Sequence, residues 1–324
     1  MDIQEITLES LIEYNNEWPE CELKLQSTID FENRLKDKKI KQLLVPMQLD
    51  KEKALNLFGT HKDIAKIFSM SLDALDVLPL HPDIAFDVIW RTLEITLKYL
   101  SIKSWSYEAN RAFGDVLKKG CDDVLTPYCV SDEKISNMFE YLLGKTSLIS
   151  LRYLVARLYF KMDLSVSPQV TFVRERANDL LGEEIIQAIK DKYVNKDGRM
   201  DADNQRKAAR LFLLILKGAE VDVNGYKMKP LDLPKRIEFY TSCVVYSSRC
   251  ERFHGDYYSP LKSSLTDMGT YYEYYYLMTF SYALWGIMMN KTQSVVGGQD
   301  AFTTDAVCNS ITESLNRVNI LPNK

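Results

Sequence analysis

From His81 the chain sets Phe86, Ile89, Leu93, Leu97 and Leu100 at steps of three and four behind a proline and an aspartate. That spacing predicts a helix running to about Leu100. Pro82 suits its first turn, where a missing N–H costs nothing, and the charge of Asp83 complements the dipole. Helical spacing returns with Met138, Tyr141 and Leu142 and again with Leu151, Leu154, Val155 and Leu158, with breaks expected at Gly120, Pro127 and Gly144. Ala177, Leu181, Ile185 and Ile189 step by four along one helix, and Ala208, Leu211, Phe212 and Ile215 mark the next. A loop is expected from Asp222 to Pro234, followed by helices over about Lys235 to Phe253, Leu265 to Asn290 and Phe302 to Val318. Before residue 80 only short helical pieces are legible. The charge-dense run from Arg34 to Lys41 reads there as a solvated helix face, because Asp37 interrupts its lysines.

The polar connector Asn195 to Asn204 carries Asp197, Gly198, Asp201 and Asp203 and superficially resembles a calcium loop. It lacks the alternating oxygen ligands before the glycine and the glutamate at the twelfth position, so it reads as a helix-capping turn.

Composition agrees with this pattern. A chain of 324 residues with 46% hydrophobic and 27% charged residues can bury a sizeable core, and only 13 glycines and 10 prolines favour long helices over many short strands. The expected fold class is all-α, in one large domain or two modest ones. The six cysteines show no two-residue spacing, which argues against a zinc site and for a reducing compartment. Residues 1–12 hold no lysine or arginine, so no secretory signal is read. The stretch Tyr271 to Met289 has Glu273 as its one charge but is loaded with tyrosine, and reads as a buried core helix rather than a membrane span. A cytoplasmic protein without a membrane partner is expected. A net charge of -4 excludes a broadly basic nucleic-acid surface and leaves room for a local one.

Most catalytic vocabulary is missing. The chain has no phosphate-cradling glycine loop, no nucleophile elbow and no zinc-binding histidine pair. Of its three histidines, His61 follows Gly59 and Thr60 in a polar turn and His81 precedes a helix-starting proline, so surface and capping roles explain both. His254 differs, because the helix leading to it aligns Phe239, Cys243, Tyr246, Cys250 and Phe253 in one apolar stripe flanked by Arg249 and His254. On an ideal helix those two flanking side chains point roughly 140° apart. They meet only if the helix ends at Gly255 and frees the histidine ring, or if each faces its copy across a two-fold interface. Arginine can hold a phosphate bidentately while histidine moves protons near neutral pH, which suits phosphodiester cleavage. A helix end whose cations complement the dipole is the alternative.

The run Arg249, Cys250, Glu251, Arg252, Phe253, His254, Gly255 resembles the signature of the HEPN superfamily, an arginine followed after four to six residues by histidine and often glycine. Cys250 stands where that family commonly has a polar residue. The resemblance covers about half the chain. It implies a carboxy-terminal up-and-down helical bundle at 166–324 beside an additional helical amino-terminal region at 1–165, acting as a homodimer, a metal-independent endoribonuclease without cofactor, and a setting as a toxin or antiviral defence effector with an inhibitory or antitoxin partner. Arg249 would stabilise charge on the phosphate of RNA, and His254 would act at the ribose 2′-hydroxyl or the leaving oxygen. Glu251, Arg252, Tyr258 and Lys262 are the surrounding candidates for substrate contact. The run Tyr271, Tyr272, Tyr274, Tyr275 and Tyr276 could stack on bases but reads better as core and interface packing, since consecutive helical positions point all ways round. Two alternatives stand beside the nuclease: a non-catalytic HEPN-like binding or assembly module, and a nucleotide-binding regulatory partner of another enzyme.

Overall fold

The computed structural model describes residues 16–17, 25–105, 113–159, 168–253, 261 and 266–321, with backbone only at 168–170 and 250–253. Among the described residues the fold is all-α with one small hairpin. In chain order the helices are α1 (Gln26–Asp37), α2 (Lys51–Thr60), α3 (Lys62–Asp76), α4 (Pro82–Ser104), α5 (Phe113–Gly120), α6 (Thr126–Ser131), α7 (Glu133–Gly144), α8 (Leu148–Tyr159), α9 (Pro168–Leu181), α10 (Glu183–Tyr193) and α11 (Ala202–Leu216). After the strands β1 (Val221–Val223) and β2 (Tyr226–Met228) come α12 (Leu233–Phe239), α13 (Tyr246–Phe253), α14 (Met268–Val295) and α15 (Thr304–Val318).

The axis of the fold is α14, which packs along α4 and carries α15 on another side. Its buried positions include Tyr271, Tyr275, Phe280, Leu284, Trp285 and Met288, so every face of the helix meets protein. Asp267 and Thr270 close a reciprocal capping box at its start. The tyrosine run packs inward, as its consecutive spacing suggests, and each buried hydroxyl finds an acceptor: Tyr271 donates to Thr28, Tyr272 to the Lys145 carbonyl, Tyr275 to that of Pro79 and Tyr276 to that of Leu142. One cluster of buried side chains runs from Phe31 to Leu321, drawing on both halves of the chain. The expected boundary between 165 and 166 lies outside the described residues. No helix among the described residues is long and apolar enough to cross a membrane.

Several local expectations change. The single helix expected through Ala177, Leu181, Ile185 and Ile189 is divided at Gly182, whose φ of 90° is outside the helical range, into α9 and α10. The loop expected from Asp222 to Pro234 begins with the hairpin, which pairs Val221 with Met228 and Val223 with Tyr226 around Asn224 and Gly225, both at positive φ (54° and 85°). Those two residues make the two-residue turn that matches strand twist. Gly120 and Pro127 do not break the chain: α5 and α6 are joined by a π turn, Cys121–Leu125, in which the Thr126 N–H reaches back to the Cys121 carbonyl. The wider register absorbs a proline that an unbroken α-helix would resist. Gly120 serves close packing instead, since a Cβ there would stand 2.8 Å from Leu97 Cδ2. The connector before α11 behaves as its residues imply, with the Asp201 side chain accepting from the Asn204 N–H at 2.7 Å as an N-cap.

Candidate functional site

The rod that carries Arg249 starts at Asp232, which accepts from the Lys235 N–H at 3.0 Å and is followed by Pro234 in the first turn. Two buried charges anchor it. Arg236 pairs with Glu140 and donates to the Leu216 carbonyl at 3.1 Å, and Glu238 pairs with Arg176 of α9. Between α12 and α13 the rod widens into a second π turn, Tyr240–Val245, every residue of which is buried. Thr241 and Ser242 return their hydroxyls to carbonyls four residues back, both at 2.7 Å, so small polar side chains sit in the core without an unmet donor.

The π turn corrects the ideal-helix geometry read from sequence. Its extra residue rotates everything after Val245 by about one residue step, roughly 100°, relative to an unbroken α-helix. The expected direction of Arg249 relative to Phe239 therefore does not carry across the turn. The first members of the apolar stripe do pack as expected: Phe239 and Cys243 are fully buried, and burial pushes the Cys243 thiol up to about 12, which suits a packing residue and not a nucleophile.

Beyond the π turn, Tyr246 joins rings from three other helices. Its centroid lies 4.9 Å from Phe172 of α9, 6.3 Å from Phe113 of α5 and 6.5 Å from Trp90 of α4, while Trp90 and Phe113 meet edge-on at 5.6 Å. One turn later the Arg249 side chain emerges at the edge of this cluster with 24% exposure, and its Nη2 lies 3.9 Å from Glu94 Oε1 of α4. Glu94 is comparably open at 27% and accepts from Trp90 Nε1–H at 2.6 Å through the same oxygen. Burial raises the Glu94 carboxyl above the usual carboxylate range, against the opposing pull of Arg249, the Trp90 bond and Arg91.

Arg249 is thus half-buried, braced by an aromatic cluster and set against a carboxylate. His254, Tyr258 and Lys262 lie outside the described residues, as do Gly255 and the side chains of Cys250, Glu251 and Arg252. Of the remaining histidines, His61 sits at the junction of α2 and α3 and His81 at the start of α4. Sequence spacing missed Glu94 and Trp90. Their one local sign is a four-residue separation that lets the indole N–H reach the carboxylate.

Two clefts, of about 400 Å³ between α7 and α15 and about 260 Å³ beside Gln42 and Arg317, hold neither Arg249 nor Glu94. Among the described residues no group of three or more His, Cys, Asp or Glu side chains comes together in a way that could hold a metal ion. Comparison with family models, with curated proteins and with solved structures finds no match for this chain.

Proposed function

We propose that the chain is a metal-independent endoribonuclease of the HEPN type. Arg249 holds the scissile phosphate, and His254 takes the proton from the ribose 2′-hydroxyl or returns one to the leaving 5′-oxygen. The 2′-oxygen bonds to phosphorus as the bond to the 5′-oxygen breaks, so RNA is cleaved and DNA is not. The observation that supports this most is a half-buried arginine, 24% exposed and facing the Glu94 carboxylate, that stands five residues before a histidine followed by glycine. A guanidinium so placed can present two N–H groups to a phosphate. With a net charge of -4, phosphate contact has to be concentrated near it. A second copy facing the first, and an inhibitory or antitoxin partner, belong to the same reading.

A non-catalytic binding or assembly module is the second reading. It is favoured by the Glu94 contact, since an arginine facing a carboxylate can serve packing alone. Cleavage assays on single-stranded RNA in EDTA separate the two. The nuclease reading expects activity in the parent and a loss of about 100- to 10,000-fold in His254→Ala, the range for a missing general acid or base. A comparable loss is expected in Arg249→Ala. His254→Ala cleaving as fast as the parent, or a parent that cleaves nothing, rejects the nuclease.

A further inference from the structure

Trp90 is 1% exposed and packed against Phe86, Phe113 and Tyr246, so its indole N–H has a fixed direction. That N–H pins Glu94 Oε1 from the buried side of α4 at 2.6 Å, and the same oxygen faces Arg249 Nη2 of α13 at 3.9 Å. A separation of 3.9 Å is an attraction between charges and too long for a hydrogen bond. In this contact the carboxylate attracts the guanidinium without accepting one of its N–H groups. Tyr246, one turn before Arg249, packs on the same Trp90, so one buried indole braces both the helix and the carboxylate.

We infer that Glu94 is a positioning residue, which through its Trp90-fixed carboxylate sets the direction in which Arg249 presents its guanidinium to a phosphodiester; this rests on the ribonuclease reading above. Its physical basis is preorganisation. A group that must meet developing charge on a phosphate gains most when its direction is set before substrate arrives, and a misplacement of about 1 Å can cost on the order of 100-fold in rate. A carboxylate held by a buried N–H supplies that direction, whereas an arginine on a free four-bond stem does not.

The test uses the full chain with Glu94→Gln, Trp90→Phe and Arg249→Ala. Glutamine keeps an oxygen for the Trp90 N–H and removes the charge. Phenylalanine keeps most of the ring and removes the N–H. Cleavage of single-stranded RNA in EDTA is measured with kcat and KM resolved. Arginine side-chain N–H resonances are recorded alongside, with Arg249→Ala assigning that of Arg249. Glu94→Gln is expected to fold with an unchanged melting temperature, to lose about 10- to 100-fold in kcat with KM within about threefold, and to shift the Arg249 Nε–Hε resonance. Trp90→Phe is expected to move the same resonance and to lose about two- to tenfold, the worth of one hydrogen bond.

A Glu94→Gln protein with parental kcat, or with the Arg249 resonance unmoved, overturns the inference. Should Glu94→Gln fail to fold, Trp90→Phe decides in the same way. If the parent cleaves and Arg249→Ala does not while both α4 variants match the parent, the positioning role alone falls. If the parent cleaves no RNA, the ribonuclease reading falls and takes the positioning role with it.

Discussion

Glu94 and Glu273 are both glutamates on long helices that pack against each other, yet their surroundings assign them opposite work. Glu273 of α14 is sealed in the core, where the hydroxyls of Ser147 and Ser150 donate to its two oxygens at the start of α8. Burial pushes its carboxyl up to about 7, and the Ser147 bond only partly opposes this. Glu94 lies on an edge, with an indole N–H on one side and the Arg249 cation on the other. Neutral hydroxyls in a closed site make a carboxyl that carries structure and resists ionising. A fixed donor and a half-buried cation make one that directs a neighbour. Residue type alone would have grouped the two.

The largest effect expected from breaking this contrast is on the core side. Glu273→Ala leaves two buried hydroxyls without their acceptor and opens space between α14 and α8. Near pH 5 it should cost about 2 to 4 kcal/mol of unfolding free energy, read by urea denaturation. Glu94→Ala in the same assay should cost much less, because water reaches its site. Equal losses at the two positions would remove the distinction.

How much of this was open to sequence reading depends on whether the signal is local. The start of α4 was legible in Pro82 and Asp83, the cap of α11 in Asp201, and the inward packing of the tyrosine run in consecutive positions that point all ways round a helix. The hairpin was legible too, because Val221, Val223, Asn224 and Gly225 spell alternation and a turn, but the prolines that follow made the whole stretch read as loop. The π turns were not legible. A single added residue leaves no period in the sequence, and it shifts every face after it, including that of Arg249. Glu94 was out of reach for another reason: its meeting with Arg249 is set by how α4 and α13 pack, which no spacing along either helix records. Of the candidate pair, Arg249 was singled out by a motif, while its neighbours are visible only in the fold.

The next effect is the pH dependence of stability. Glu273 binds its proton more tightly folded than unfolded, since its value rises from 4.5 to about 7. The stability this contributes is fully present below pH 4.5 and is lost as pH rises through about 7, on the order of 3 kcal/mol in all. Glu273→Gln, which can both accept from and donate to the serine hydroxyls, should abolish that decline. It should match the parent near pH 4.5 and exceed it above pH 7, in denaturation curves taken across the range. If the parent shows no greater fall between those values than the variant, the sealed site does not hold a raised carboxyl.

The smallest effect belongs to the edge, and it is the more telling for being small. Burial also raises the Glu94 carboxyl, so its charge gives nothing to folding at neutral pH that Glu94→Gln would forfeit, and the glutamine oxygen still meets the Trp90 N–H. An ion pair 3.9 Å long and about a quarter exposed on both sides is worth less than about 1 kcal/mol. Glu94→Gln should therefore change stability at pH 7 by under about 1 kcal/mol, with no loss expected. A loss of several kcal/mol would mean that Glu94 holds the fold together as Glu273 does, and any fall in RNA cleavage by that variant would then follow from unfolding and not from a misdirected Arg249.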